Sequence, residues 1–139
     1  MSDMVSTAFG SLAMMTSVLV APDGTIANYL RIDLASCHPR WGKAVVLKGN
    51  NADPEAPLTL DRIVDCPVGS NSKFQLYRDP VSQKYIMIGT EQSEDTPGRT
   101  VLSMAVSEDF YSWRVVKRIL DYRTADPKHV GFQYPDWIF

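Results

Sequence analysis

Phe74-Gln75-Leu76-Tyr77-Arg78-Asp79-Pro80-Val81-Ser82-Gln83-Lys84-Tyr85-Ile86-Met87-Ile88 is the stretch whose reading decides the fold. Two short runs rich in aromatic and branched apolar residues flank an Asp-Pro turn, which predicts an antiparallel hairpin. Outward from this hairpin the same texture continues in both directions. Strands are expected over 15–20, 25–32, 43–48, 58–64, 73–78, 84–89, 100–106 and 113–120. Pro and Gly fall between these runs, and no stretch carries a 3.6-residue period with caps at both ends. The expected class is all-β.

Laid over itself with a shift of roughly 55–59 residues, in the range of blade-like repeats, the chain superimposes its two halves. Ser17-Val18-Leu19-Val20 and Tyr29-Leu30-Arg31-Ile32 fall on Phe74-Gln75-Leu76-Tyr77 and Tyr85-Ile86-Met87-Ile88. Ala44-Val45-Val46-Leu47 falls on Val101-Leu102-Ser103-Met104, and Asp61-Arg62-Ile63-Val64-Asp65 on Lys117-Arg118-Ile119-Leu120-Asp121. Each half reads as four antiparallel strands in a meander, the composition of one β-propeller blade. The expectation is a partial β-propeller: two four-stranded antiparallel blades, about 14–65 and 72–121, plus the first strand of a third at 130–139. That last strand is Gly131-Phe132-Gln133-Tyr134-Pro135-Asp136-Trp137-Ile138-Phe139. Rings of this kind close with four to eight blades. The chain is therefore expected to be part of a larger domain, its blade faces covered by the remaining blades or by self-association.

Composition narrows the function. Lys+Arg 14 against Asp+Glu 16 gives a net charge of -2, which argues against a nucleic-acid partner that would need clustered basic side chains. No apolar run approaches the roughly 20 residues of a bilayer span. The apolar segment 11–20 has no Lys or Arg before it and leads into Pro22-Asp23-Gly24, so it reads as a strand rather than a signal-peptide core. Cys37 and Cys66 are too few for a disulfide-built fold; they could pair if their loops are neighbours, but two buried free thiols is the simpler reading. His38 and His129 are not spaced as a zinc site requires, and neither metal nor cofactor is expected.

Ser107-Glu108-Asp109-Phe110-Tyr111-Ser112-Trp113 lies between the third and fourth strands of the second repeat. It resembles a degenerate Asp-box, the Ser-x-Asp…Trp turn of sialidase-type propellers. In such a turn Ser and Asp hydrogen-bond the local backbone, and the Trp anchors the turn between blades. The segments 19–33, Gly69-Ser70-Asn71-Ser72-Lys73-Phe74 and 131–139 are similar, in order, to landmarks of a bacterial family of sialidase-like (exo-α-sialidase superfamily) propellers. The resemblance covers most of the chain from Ser17 onward. It implies a piece of an exo-acting glycoside hydrolase for terminal sugars of glycans, sialic acid among them, inactive in isolation. It also implies a carbohydrate or glycoconjugate ligand and a secreted or periplasmic setting. Asn71 stands where the family pattern carries histidine, and an amide can replace that residue's hydrogen bonds but not its proton transfer.

Blade topology predicts that the connectors 33–42, 65–72, 91–99 and 121–130 emerge on one side and the tight hairpins on the other. Long polar loops on one face of a rigid scaffold are where sites usually lie. A sialidase-type site needs cations for the substrate carboxylate, and the candidates are Arg31, Lys73 and Arg99; Asp33 is a further substrate-binding candidate and the alternative to Asp136 as the acid. It also needs a Tyr nucleophile primed by a Glu, with an acid for the leaving group. Tyr134, Glu91 and Asp136 are the candidates. Each has a competing structural reading: surface charge for Arg31, packing or sugar stacking for Tyr134, backbone capping for Asp136, and a solvated acidic loop for Glu91. A propeller that binds carbohydrate through Tyr134, Trp137 or Trp41 without hydrolysis, or one with a purely architectural role, are the alternatives to the enzyme.

Overall fold

A computed structural model describes residues 13–32, 41–69, 72–93, 95, 96 and 98–138, with the strand path but not the side chains of 13–16. Eight strands follow the chain: β1 (Ala13–Val20), β2 (Ile26–Ile32), β3 (Lys43–Lys48), β4 (Thr59–Asp65), β5 (Phe74–Arg78), β6 (Tyr85–Thr90), β7 (Val101–Ser107) and β8 (Arg114–Asp121). They form two four-stranded antiparallel sheets, β1-β2-β3-β4 and β5-β6-β7-β8, with no helix among the described residues. Each of the eight strands expected between 15 and 120 is present, with ends within two residues of the reading from sequence. Among the described residues no helix is long and apolar enough to cross a membrane.

The ninth strand expected at 130–139 is not formed. Residues 130–138 follow an irregular path that pairs with neither sheet, and Phe139 lies outside the described residues. Alternating apolar side chains say what a segment can bury, but a strand also needs a neighbour for its backbone hydrogen bonds. Here the side chains find the second sheet while the backbone finds no ladder.

The sheets share one core. Ala27, Tyr29, Ala44, Val46 and Val64 from the first sheet pack with Phe74, Leu76, Tyr85, Met87, Ala105 and Phe110 from the second sheet and its β7–β8 turn. Period-2 alternation explains the choice, since these residues all lie on the facing surfaces. Leu30, Ile32 and Val45 form a smaller cluster on the opposite face of the first sheet. Tyr29 sits at the junction. Its ring meets Phe74, Phe110 and Trp113 edge-on at centroid distances of 6.4, 5.1 and 6.0 Å. Its hydroxyl donates to the Phe110 carbonyl at 2.9 Å and accepts from Trp113 Nε1 at 2.9 Å. Burial pushes this phenol's pKa well up, so it remains the neutral donor that the Phe110 carbonyl needs.

The β7–β8 turn behaves as its sequence predicts. Asp109 Oδ1 accepts from Ser107 Oγ and from the Tyr111 and Ser112 amides, and Oδ2 accepts from Ser112 Oγ. This network holds Phe110 at φ 77°, a left-handed conformation that costs a residue with a Cβ about 1–2 kcal/mol. Trp113 then reaches across to the first sheet. At the same end the Tyr85 hydroxyl donates to the Val20 carbonyl at 3.0 Å, and Arg62 of the first sheet lies 3.9 Å from the Tyr111 ring centre.

The residue-level superposition of the halves is offset at the second strand from the one expected from sequence. Ser17 and Val46 both pair with Tyr29, whereas their expected counterparts Phe74 and Ser103 both pair with Gly89 rather than Tyr85. Tyr29 and Tyr85 still both point into the core between the sheets. Strand order repeats; the register does not.

Tyr29→Phe leaves the Phe110 carbonyl and the Trp113 indole without their shared partner. It should cost about 1–3 kcal/mol, read as a lower urea midpoint at unchanged m-value. Partial burial works to raise the Asp109 pKa, but the hydrogen bonds from Ser112, Tyr111 and Ser107 outweigh it and hold the carboxyl below its ordinary 3.8. A depressed carboxyl stabilises the fold above its unfolded pKa and loses that contribution as pH falls. Between about pH 5 and pH 2 the Tm should therefore fall more steeply in the native chain than in Asp109→Asn, measured by thermal melts across that range.

Candidate functional site

The connector side of the sheets carries most of the candidate residues that are described. Arg31 is the penultimate residue of β2, paired in register with Ala44 and only 8% exposed on the surface facing the second sheet. Lys73 immediately precedes β5, and Arg99 precedes β7. Gly69, at φ +95°, places the chain ahead of Lys73: its amide donates to the Thr90 carbonyl at 2.9 Å, and a Cβ there would strike the Phe74 ring. Ser72 and Thr90 share a buried hydroxyl–hydroxyl hydrogen bond beside it.

Tyr134 lies against one of these cations and within the field of the other two. Lys73 Nζ lies 3.3 Å from its ring centre, and the Arg99 and Arg31 charges act on its hydroxyl as well. The hydrogen bond from Lys73, then its charge and those of Arg99 and Arg31, hold the phenol pKa below its ordinary value against a small opposing effect of burial. Tyr134 is 63% exposed and adopts φ 56°. Next to it, Gln92, Gly98, Arg99, Pro127, Gly131 and Gln133 line a cleft of about 290 Å³, comparable with the lower end of small-molecule pockets.

Glu91 is not part of this group. Arg118 Nε and Nη2 fork onto its two carboxylate oxygens, each at 3.0 Å, and Ser103 Oγ donates to Oε1. Partial burial works to raise its pKa, but the Arg118 and Ser103 hydrogen bonds prevail and keep it below its ordinary value. No described hydrogen bond joins Glu91 to Tyr134. Asp136 is exposed, and its Oδ1 accepts from the following amide, that of Trp137, at 2.9 Å. Asp33 lies outside the described residues, as do Cys37, His38 and Asn71. Cys66 is buried, with its thiol directed at the Val68 carbonyl.

Two residues that shape this side, Arg118 and Phe132, are not signalled as site residues by the sequence. Arg118 determines what Glu91 can do, and Phe132 together with Trp137, expected as a sugar-stacking candidate, anchors the segment that carries Tyr134. Phe132 meets Tyr122 edge-on at 5.8 Å and Trp137 meets Tyr77 edge-on at 4.9 Å. The aromatic spacing of 131–139 is the available signal, and it predicts a strand rather than an anchored strap. Among the described residues no group of His, Cys, Asp and Glu could hold a metal ion. No protein-family model, curated protein or solved structure matches this chain.

Replacing Arg118 with Met removes the counter-charge while leaving Glu91 partly buried. The Glu91 pKa should then rise relative to the native chain, measured by carboxyl chemical shifts across an acid titration. An unchanged value would show that Ser103 alone sets it.

Proposed function

We propose that the connector side binds the carboxylate of a terminal acidic sugar on a glycan, and that the chain is part of a sialidase-like propeller. The observation that carries this reading is Lys73 Nζ lying 3.3 Å from the Tyr134 ring centre, on the side of the sheets where the Arg99 and Arg31 charges are also felt. Lys73 lies against an aromatic ring that offers it only a weak partner, and a carboxylate oxygen is a chemically better one. Guanidinium groups pair with carboxylates through planar, charge-assisted hydrogen bonds, while Lys adds a point charge. The adjoining cleft offers Gln92 and Gln133 amides and space for sugar hydroxyls.

Recognition is better supported than hydrolysis within this chain. A Tyr nucleophile needs a base beside it, and Glu91, the candidate, is engaged by Arg118 and Ser103 instead. Asp136, the candidate acid, is engaged with the Trp137 amide. A full sialidase-type reaction would draw on groups beyond those assembled around Tyr134. The non-catalytic carbohydrate-binding reading shares the same cation group and differs only in the absence of bond cleavage once the sugar is bound.

Titration of the 139-residue chain with N-acetylneuraminic acid, monitored by NMR or calorimetry, tests this. The acid should bind and neutral N-acetylmannosamine should not. Lys73→Ala should weaken the acid by about tenfold, the loss of one charge-assisted hydrogen bond. Equal binding of both sugars, or indifference to Lys73→Ala, would overturn the reading. A fluorogenic sialoside should show no turnover, and clear turnover by this chain would overturn the assignment of recognition alone.

A further inference from the structure

Segment 131–138 is held to the second sheet by aromatic side chains and a backbone hydrogen bond. The Phe132 amide donates to the Arg99 carbonyl at 2.8 Å, and the Phe132 ring lies against Tyr122. Five residues further on, Trp137 lies against Tyr77. Tyr134 stands between these two anchors in the left-handed region, a conformation unfavourable for any residue with a Cβ unless its surroundings impose it. The result of that turn is specific: the aromatic face is laid on Lys73 Nζ at 3.3 Å.

Lys73 is the cation whose ammonium group is most directly engaged by Tyr134, and an ammonium covered by a ring face is not open to a carboxylate. We propose that Tyr134 is a built-in cap of the cation group, carried on the 131–138 strap, and that an acidic ligand binds by displacing it. The inference rests on the carboxylate-binding reading above and adds its regulation. An exposed cation–π contact is weak, so the cap biases the site without closing it. The apparent affinity for an acid is then the intrinsic affinity scaled by the fraction of uncapped molecules. Linkage makes the effect reciprocal, so an acid that displaces Tyr134 must also loosen the strap by the same factor.

A ligand-stacking role for Tyr134 predicts the opposite sign, which allows a decisive test on the 139-residue chain with N-acetylneuraminic acid as the probe. Tyr134→Ala should bind the acid about two- to fivefold more tightly than the native chain. Trp137→Ala, which cuts an anchor away from Lys73, should shift affinity in the same direction. Hydrogen exchange in peptides covering 131–138 should become faster when the acid saturates the native chain. Unchanged urea midpoints in both variants would establish that the core is intact, as expected from the exposure of Tyr134. If the native chain binds the acid and Tyr134→Ala binds equally or more weakly, or if exchange slows, the cap is overturned while the carboxylate reading stands. If neither the native chain nor either variant binds the acid, the carboxylate reading falls and the cap with it.

Discussion

The placement of one sheet on the other depends on the Tyr29 hydroxyl. A buried hydroxyl is tolerated only when hydrogen-bonded, and this one is used twice, as donor to Phe110 and as acceptor from Trp113. Tyr29 belongs to β2, whereas both partners belong to the turn between β7 and β8. The phenol is satisfied only when the two sheets are stacked in one arrangement. Apolar burial would accept several slightly different stackings; the two directional bonds reduce them to one. Upstream of this stands Asp109, because its carboxylate folds the turn that brings the Phe110 carbonyl and the Trp113 indole to the same oxygen. Downstream stands the connector side, because the stacking sets Tyr29, two residues before Arg31, against Phe74 at the start of β5.

The two ends of the sheets use charge differently. On the hairpin side the cations have local partners: Lys48 pairs with Asp23 and Lys84 with Glu108, and Arg62 and Lys48 lie over the Tyr111 ring. Asp23 is held down to about 2 chiefly by its hydrogen bond from Lys48. These groups fasten turns and sheets together. On the connector side Arg118 pairs with Glu91. Lys73 lies over the Tyr134 ring, and the Arg99 and Arg31 charges act on the same phenol. A net charge of -2 for the whole chain conceals this local excess, because the field at a site is set by nearby groups rather than by the sum.

Features that depend on near neighbours are legible in the sequence. Strands, hairpin turns and the Ser107–Trp113 turn are encoded within a few residues, and each forms where expected. The gathering of Arg31, Lys73 and Arg99 on one side comes from counting strands, since each antiparallel turn reverses the chain. Features that depend on register are not legible. Arg118 reaches Glu91 across β7–β8, where two bulges shift the pairing, between Leu102 and Ser103 and between Met104 and Ala105. Each bulge reverses which face a later residue occupies, so alternation alone gives no answer there. Equating Tyr29 with Tyr85 fails for a similar reason, since hairpins of different length move the register and set Gly89 opposite Phe74. Segment 131–138 differs again, its side-chain pattern being informative and its hydrogen-bonding partner unforeseeable.

The bulges also bear on why the outer strands can be as exposed as they are. β8 is exposed along its length and carries Val115, Val116, Ile119 and Leu120, while β4 exposes Leu60 and Ile63. A flat edge with such residues would template pairing with another chain. Here β4 has one register shift against β3 and β8 has two against β7, each of which twists the strand locally and breaks the row of free backbone groups. Arg114, Lys117 and Arg118 add charge along β8. Between the two sheets the strand backbones approach most closely at β1 and β5, and side chains of the strands behind them complete the shared core. β4 gives that core Val64 and β8 gives it none of its members; these two strands complete the ladders of β3 and β7. Through Arg118, β8 also fixes the Glu91 carboxylate on the connector side. An outer strand that looks expendable by burial thus helps set the charge of that side.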